Sequence, residues 1–206
     1  MTQPVAITVS VAIMAKAPVA GLAKTRLIPA LGAAGAARLQ RRLTLQVLRT
    51  AQQANLGPVT LFCAPDTNHR FFHALHTRSG VQCTAQHTGD LGQRMHAAVL
   101  AAAGPVLVVG TDCPALTPAD LQAAAQHLRD GHDAVVQPAE DGGYVLIGLR
   151  APCWPVFDGV AWSTDQVMPH TRARLAAQGL RWCEAPTLWD VDVPADLPRL
   201  RTLPGW

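Results

Sequence analysis

Apolar residues along the chain fall into two alternating rhythms. Short runs rich in β-branched residues read as buried strands: Val5 to Met14, Val59 to Cys63, Val81 to Ala85, Val106 to Gly110, Ala134 to Gln137 and Tyr144 to Leu149, with a late one from Arg181 to Glu184. Between them apolar positions return every fourth residue, as Leu39-Leu43-Val47-Ala51 and Leu91-Met95-Val99, each making one apolar face of a helix. Thr117-Pro118 starts a further helix, with proline at the first helical position. Ser163 followed by Gln166 has the form of a capping box, and Gly179 suits the stop of that helix. Strands alternating with helices predict an α/β fold, a mainly parallel sheet covered by helices, in one domain spanning residues 1–206. No internal repeat, low-complexity tract or linker interrupts the pattern.

Composition narrows the function. A chain of 206 residues, 49% hydrophobic, suffices for one well-buried core. Its net charge of +3 and its 17 dispersed Lys and Arg residues argue against a dedicated nucleic-acid binder, while leaving room for a local basic pocket that accepts phosphate. The five cysteines, Cys63, Cys83, Cys113, Cys153 and Cys183, include no C-x-x-C pair, so neither a disulfide framework nor a cysteine zinc site is expected. They read as small buried residues in a reducing compartment. The longest apolar stretch, Val5 to Ala15, is too short to span a bilayer. Met1-Thr2-Gln3-Pro4 lacks the positive charge of a secretory leader, so a cytoplasmic protein is expected.

In a sheet of this kind ligands sit beyond the carboxyl ends of the strands, which directs attention to three loops. The first, Lys16-Ala-Pro-Val-Ala-Gly21-Leu-Ala-Lys24-Thr25-Arg26, combines three cations, a glycine and a hydroxyl, the ingredients of a phosphate cradle. Its glycine stands three residues before Lys24, so it is not a Walker A loop. The second, Gly110-Thr111-Asp112-Cys113-Pro114, follows the most apolar strand and delivers a carboxylate where Mg²⁺ or Mn²⁺ could join it to phosphate oxygens. A turn or N-cap aspartate is the plainer alternative. The third is split between Glu140-Asp141-Gly142-Gly143-Tyr144 and Asp190-Val191-Asp192. If extended, the latter turns two carboxylates to one side, while Asp-Gly-Gly on its own reads equally as a hairpin turn.

Other residues carry less. Among eight histidines only His69 and His73 have a metal-like spacing, and a solvated helix face accounts for them. Trp162 and Trp189, beside motifs, read as core or rim packing, with stacking on a base or sugar as the alternative, and Cys113 as a buried thiol without a histidine partner.

Six segments taken in order resemble a known family: Lys16-Ala-Pro-x-x-Gly21-x-x-Lys24-Thr25-Arg26-Leu27, Asp90-Leu-Gly-Gln-Arg-Met95, Gly110-Thr-Asp112-Cys-Pro114-x-Leu116-Thr117, Glu140-Asp141-Gly142-Gly143-Tyr144-x-Leu146-Ile-Gly-Leu149, Trp162-Ser-Thr164 and Asp190-Val-Asp192-x-Pro194. The family is that of the bacterial glycosyltransferase A-like proteins, also described as arsenosugar-biosynthesis glycosyltransferases, and the likeness runs from Lys16 to Leu197. It implies a GT-A fold, the Rossmann-like nucleotide-diphospho-sugar transferase sheet with helices on both faces, and a divalent cation, Mg²⁺ or Mn²⁺. Carried over residue by residue, Asp112 is the primary metal ligand, Asp192 the second and Asp190 its alternative. Lys16, Lys24 and Arg26, with Gly21 and Thr25, hold phosphates, and Gly142, Gly143 and Tyr144 line the sugar or acceptor side. Many members of the fold have Asp-x-Asp after the central strand. Here Pro114 occupies the third position, which throws weight onto Asp190 and Asp192.

Two reactions follow from the resemblance. In glycosyl transfer a nucleotide sugar donates to a small-molecule acceptor, with Asp141 or Glu140 as general base. In nucleotidyl transfer a phosphate attacks a nucleoside triphosphate, and the cationic loop is similar to that of phospholactate guanylyltransferases and related pyrophosphorylases. A third reading is a non-catalytic nucleotide-binding protein. Nothing in the sequence sets an oligomeric state, a nucleic-acid partner or a membrane span.

Overall fold

A computed structural model describes residues 7–203 and 206. Seven strands form one sheet: β1 (Ser10–Lys16), β2 (Val59–Ala64), β3 (Gln82–Ala85), β4 (Val106–Val109), β5 (Ala134–Pro138), β6 (Tyr144–Leu149) and β7 (Trp182–Glu184). Their spatial order is β3-β2-β1-β4-β6-β5-β7. All neighbours run parallel except β6, which is antiparallel to both β4 and β5. The helices are α1 (Ile28–Ala54), α2 (Arg70–Ser79), α3 (Leu91–Leu100), α4 (Pro118–Arg129), α5 (Val167–Ala177) and the short α6 (Leu197–Leu200).

The two sheet faces build two cores. Val11, Ile13 and Ala15 of β1 point to one side, with Val47, Leu48 and Ala51 of α1, Phe72 of α2 and Leu121 and Leu128 of α4. Ala12 points to the other, with Met95 and Val99 of α3 and Met168 and Leu175 of α5. This is the period-two signature of strands covered by helices on both faces. Burying each large apolar side chain contributes about 1.5–3 kcal/mol. A third cluster docks the C-terminal segment, Trp189, Val191 and Leu200, on Leu27, Leu39 and Leu43 of the first turn and α1. The predicted apolar face of α1 is thus divided between the sheet and this segment.

Three local expectations shift. The first strand, expected from Val5, begins at Ser10 and runs on to Lys16, while Val5 and Ala6 lie outside the described residues. The sheet is interrupted by β6 because Glu140-Asp141-Gly142-Gly143 is a hairpin turn, with the Ala139 amide donating to Gly143 O. The Ser163–Gln166 capping box does not form. Ser163 adopts φ 64°, outside the extended conformation an N-cap requires, and α5 starts only at Val167. Thr164 supplies the local bonds instead, its hydroxyl donating to Ala161 O at 2.7 Å and accepting from Gln166 N at 3.2 Å. Thr117 does cap α4, pairing reciprocally with Asp120, and Gly179 follows the last turn of α5 in the left-handed conformation.

Candidate active site

Chain direction gathers the motifs at one edge. The carboxyl ends of β1 and β4, carrying Lys16 and Gly110 to Cys113, open onto the same cavity. Because β6 runs the other way, its first residue, Tyr144, arrives at that edge too. The cavity holds about 510 Å³. A second one of about 480 Å³ adjoins it, and the two share Arg26, Leu91, Asp112, Tyr144, Asp190 and Asp192. The cleft therefore has two lobes that meet at the three aspartates.

A relay of hydrogen bonds holds Asp112. The amide of buried Gln40, from α1, donates to Thr111 Oγ1 at 3.0 Å, and that hydroxyl donates to Asp112 Oδ1 at 3.2 Å. Lys24 Nζ lies 2.9 Å from the same oxygen and donates as well to Val191 O. Its side chain is 3% exposed. The Lys24 backbone is left-handed, at φ 49°. The Val191 amide donates to Asp112 O at 2.9 Å, binding the late segment to the β4 loop. Val191 is fully buried, while its neighbours Asp190 and Asp192 both line the cleft.

Charges within this trio are unequally met. Asp192 pairs with Arg26 at 2.5 Å and lies 3.9 Å from Lys24. Asp190 makes no ion pair among the described residues. Burial, reinforced by Asp141 and Asp112 and opposed by Lys24, raises its pKa to about 6. The three carboxylates do not close to within 4.8 Å as a group, since Lys24 stands between Asp112 and Asp192.

The lobes differ in sign. Lys16, Lys24, Arg26 and Arg94 line the first, opposite Asp112, Asp190 and Asp192. The second adds Asp141 and Asp165 to those aspartates and has Arg26 as its cation. Asp141 Oδ1 accepts from the Gly143 amide at 2.8 Å. Glu140, weighed alongside Asp141 as a base, points away and pairs with Arg199 at 2.7 Å. Thr25 and Gly143 line the lobes, whereas Gly21 and Gly142 line neither. Gly21 (φ 84°) turns the first loop, and Gly142 (φ 90°) sits where a Cβ would lie 2.6 Å from the Asp165 Cα. Cys113 is buried, which pushes its thiol up to about 12 and removes it as a nucleophile.

Arg94 has no site role in the sequence reading yet lines the first lobe, and Trp162, read there as a packing residue beside a motif, lines the second. Arg94 was signalled by its own motif, since Asp90 and Gln93 form a reciprocal cap that starts α3 at the cleft rim. Trp162 leans over Gly92, where a Cβ would lie 2.8 Å from the indole, and meets Tyr144 edge-on.

Several proteins of known structure that this chain resembles are transferases. A candidate nucleotide-diphospho-sugar transferase from Desulfovibrio desulfuricans G20 superposes with a TM-score of 0.85 at 26% identity, covering 97% of this chain and 90% of that one. The inositol-1-phosphate CTP transferase of T. maritima matches at 0.61 and 10% identity over 92% and 91% of the two chains. Glucosyl-3-phosphoglycerate synthase from Mycobacterium tuberculosis, in complex with Mn²⁺, UDP and glucosyl-3-phosphoglycerate, matches at 0.59 and 10% identity over 93% and 75%. The last two likenesses are of fold alone. No curated protein matches the sequence. Residues 47–164 match the family described as an uncharacterized protein conserved in bacteria (DUF2064), and the chain belongs to that family.

Proposed function

We propose that this chain is a nucleotide-using transferase that moves a sugar from a nucleotide-diphospho donor to a hydroxyl of a neutral or cationic small molecule, with Mg²⁺ or Mn²⁺. The observation that carries the choice is the difference in sign between the lobes. The first lobe sets four cations against three aspartates, and its Lys16 and Arg94 make no ion pair among the described residues, which suits a diphosphate, whereas the second, with five aspartates and Arg26, would repel the phosphate-bearing acceptor that nucleotidyl transfer requires. A hydroxylic acceptor meets no such barrier. The Trp162 indole lines this lobe and offers an aromatic surface to an acceptor or sugar.

In this reading Lys16, Arg26 and Arg94 face the diphosphate, with the Thr25 hydroxyl beside them. Lys24, engaged by Asp112 and Val191 O, holds the acidic segment in place beneath it. The donor set fits a divalent cation: Mg²⁺ or Mn²⁺ commonly takes one or two carboxylates and completes its shell with phosphate and water. Asp112 would hold it, with Asp192 or the ion-pair-free Asp190 as the second carboxylate. A cation there would neutralise charge on the departing diphosphate. The acceptor oxygen attacks the anomeric carbon, the bond to the diphosphate breaks, and Asp141 takes the hydroxyl proton. Five free thiols suit a cytoplasmic setting, and among the described residues no helix is long and apolar enough to cross a membrane.

The test monitors two products with Mn²⁺ present. Nucleoside diphosphate released from a panel of nucleotide sugars and polyhydroxylic acceptors is the expected outcome. Pyrophosphate released from nucleoside triphosphates and sugar phosphates, with no diphosphate from any nucleotide sugar, would overturn glycosyl transfer in favour of nucleotidyl transfer.

A further inference from the structure

At the end of the molecule opposite the cleft, three ligand-type side chains far apart in sequence come together. His127 lies in the last turn of α4, His132 just before β5 begins at Ala134, and Cys183 in the middle of β7, the outermost strand on that side. One ligand atom from each lies within 4.8 Å of the others, the only such trio of His, Cys, Asp or Glu among the described residues. All three are half-buried. The Cys183 side chain packs toward the core that α4 covers, and Cys183 pairs with Val135 in register. His132 Nδ1 lies 3.1 Å from His127 O. As donor to that carbonyl it is held in the tautomer whose lone pair is on Nε2, the arrangement that orients histidine ligands in metal sites. The two imidazoles meet edge to face, with centroids 5.3 Å apart.

We propose that His127, His132 and Cys183 form a site for Zn²⁺ or a comparably borderline-soft cation, separate from the catalytic cleft. Two imidazoles and a thiolate are a donor set of that class, whereas the aspartates of the cleft are hard oxygen donors. Tetrahedral zinc needs neighbouring ligand atoms roughly 3.5 Å apart, which small side-chain rotations supply from the present spacing. Three protein ligands leave the fourth position to water. The bound ion would fasten the end of α4 and the turn before β5 to an edge strand only three residues long.

Titration of tag-free protein with Co²⁺ as a spectroscopic substitute for Zn²⁺, in excess Mg²⁺, tests the site. The expected result is one equivalent bound with a thiolate-to-cobalt charge-transfer band, displaced by Zn²⁺. Cys183→Ser should remove the band, and His127→Gln should weaken binding roughly tenfold or more while keeping the far-UV circular dichroism of the parent. Asp112→Asn should leave band and affinity unchanged. The proposal is overturned by absence of saturable binding, by binding without the band, by affinity that His127→Gln does not alter, or by loss of the band in Asp112→Asn.

Discussion

Lys24 is a buried ammonium whose partners are a carboxylate 88 positions away and a carbonyl 167 positions away. Replacing it with methionine leaves Asp112, Asp190 and Asp192 facing one another without their buried counter-charge. We expect about 1–3 kcal/mol of lost stability, less than for a fully enclosed pair because Asp112 is 46% exposed, measurable by denaturant unfolding. Asp190 offers a pH test. Its folded pKa, raised from 3.8 to about 6, means that its contribution to stability is complete below the unfolded value and is lost as pH climbs through about 6. In metal-free buffer, Asp190→Asn should therefore raise the melting temperature more at about pH 7.5 than at about pH 5, and a flat difference between the two would remove the shift. At this scale the placement of Asp112 is legible because it directly follows the most apolar strand, and that of Asp190 and Asp192 because they flank an apolar residue. The Lys24 pairing is not, since no local pattern marks a lysine for burial.

Elements tell a similar story about what local chemistry specifies. The central strands are legible as apolar runs and the edge strands β3 and β7 more weakly, but β6 has the same composition whichever way it runs, and only the four-residue turn before it forces the antiparallel course. The cap on α3 was legible in Asp90-x-x-Gln93 and went unread. Asp90→Ala should cost about 1 kcal/mol by thermal or urea unfolding, and should weaken donor binding by loosening Leu91 and Arg94 at the rim. Gly142→Ala puts a side chain at φ 90° and 2.6 Å from the Asp165 Cα, so about 2 kcal/mol or more should be lost in the same assay. Gly92→Ala meets the Trp162 ring and the Phe157 carbonyl, each at 2.8 Å, and should raise acceptor KM more than donor KM.

Across the whole molecule the working surface is one cleft in which a cation-lined lobe and an acidic lobe meet. The cationic loop is legible at a strand end, whereas the contrast between lobes is not, because Asp141 and Asp165 join the other aspartates only through the fold. If Asp141 is the base, Asp141→Asn should lower kcat by about 10²–10⁴ with little change in donor KM, and an unaltered kcat would assign the proton elsewhere. The reversed strand has a consequence for descent and for redesign. Every residue that lines the acidic lobe without also lining the cationic one falls between Ala139 and Val167, a single uninterrupted stretch. Donor-side residues, by contrast, are scattered over strand ends from Met14 to Asp192. If the acidic lobe takes the acceptor, its recognition is written as a cassette, and exchanging that stretch between relatives should transplant acceptor preference while the recipient keeps its own nucleotide.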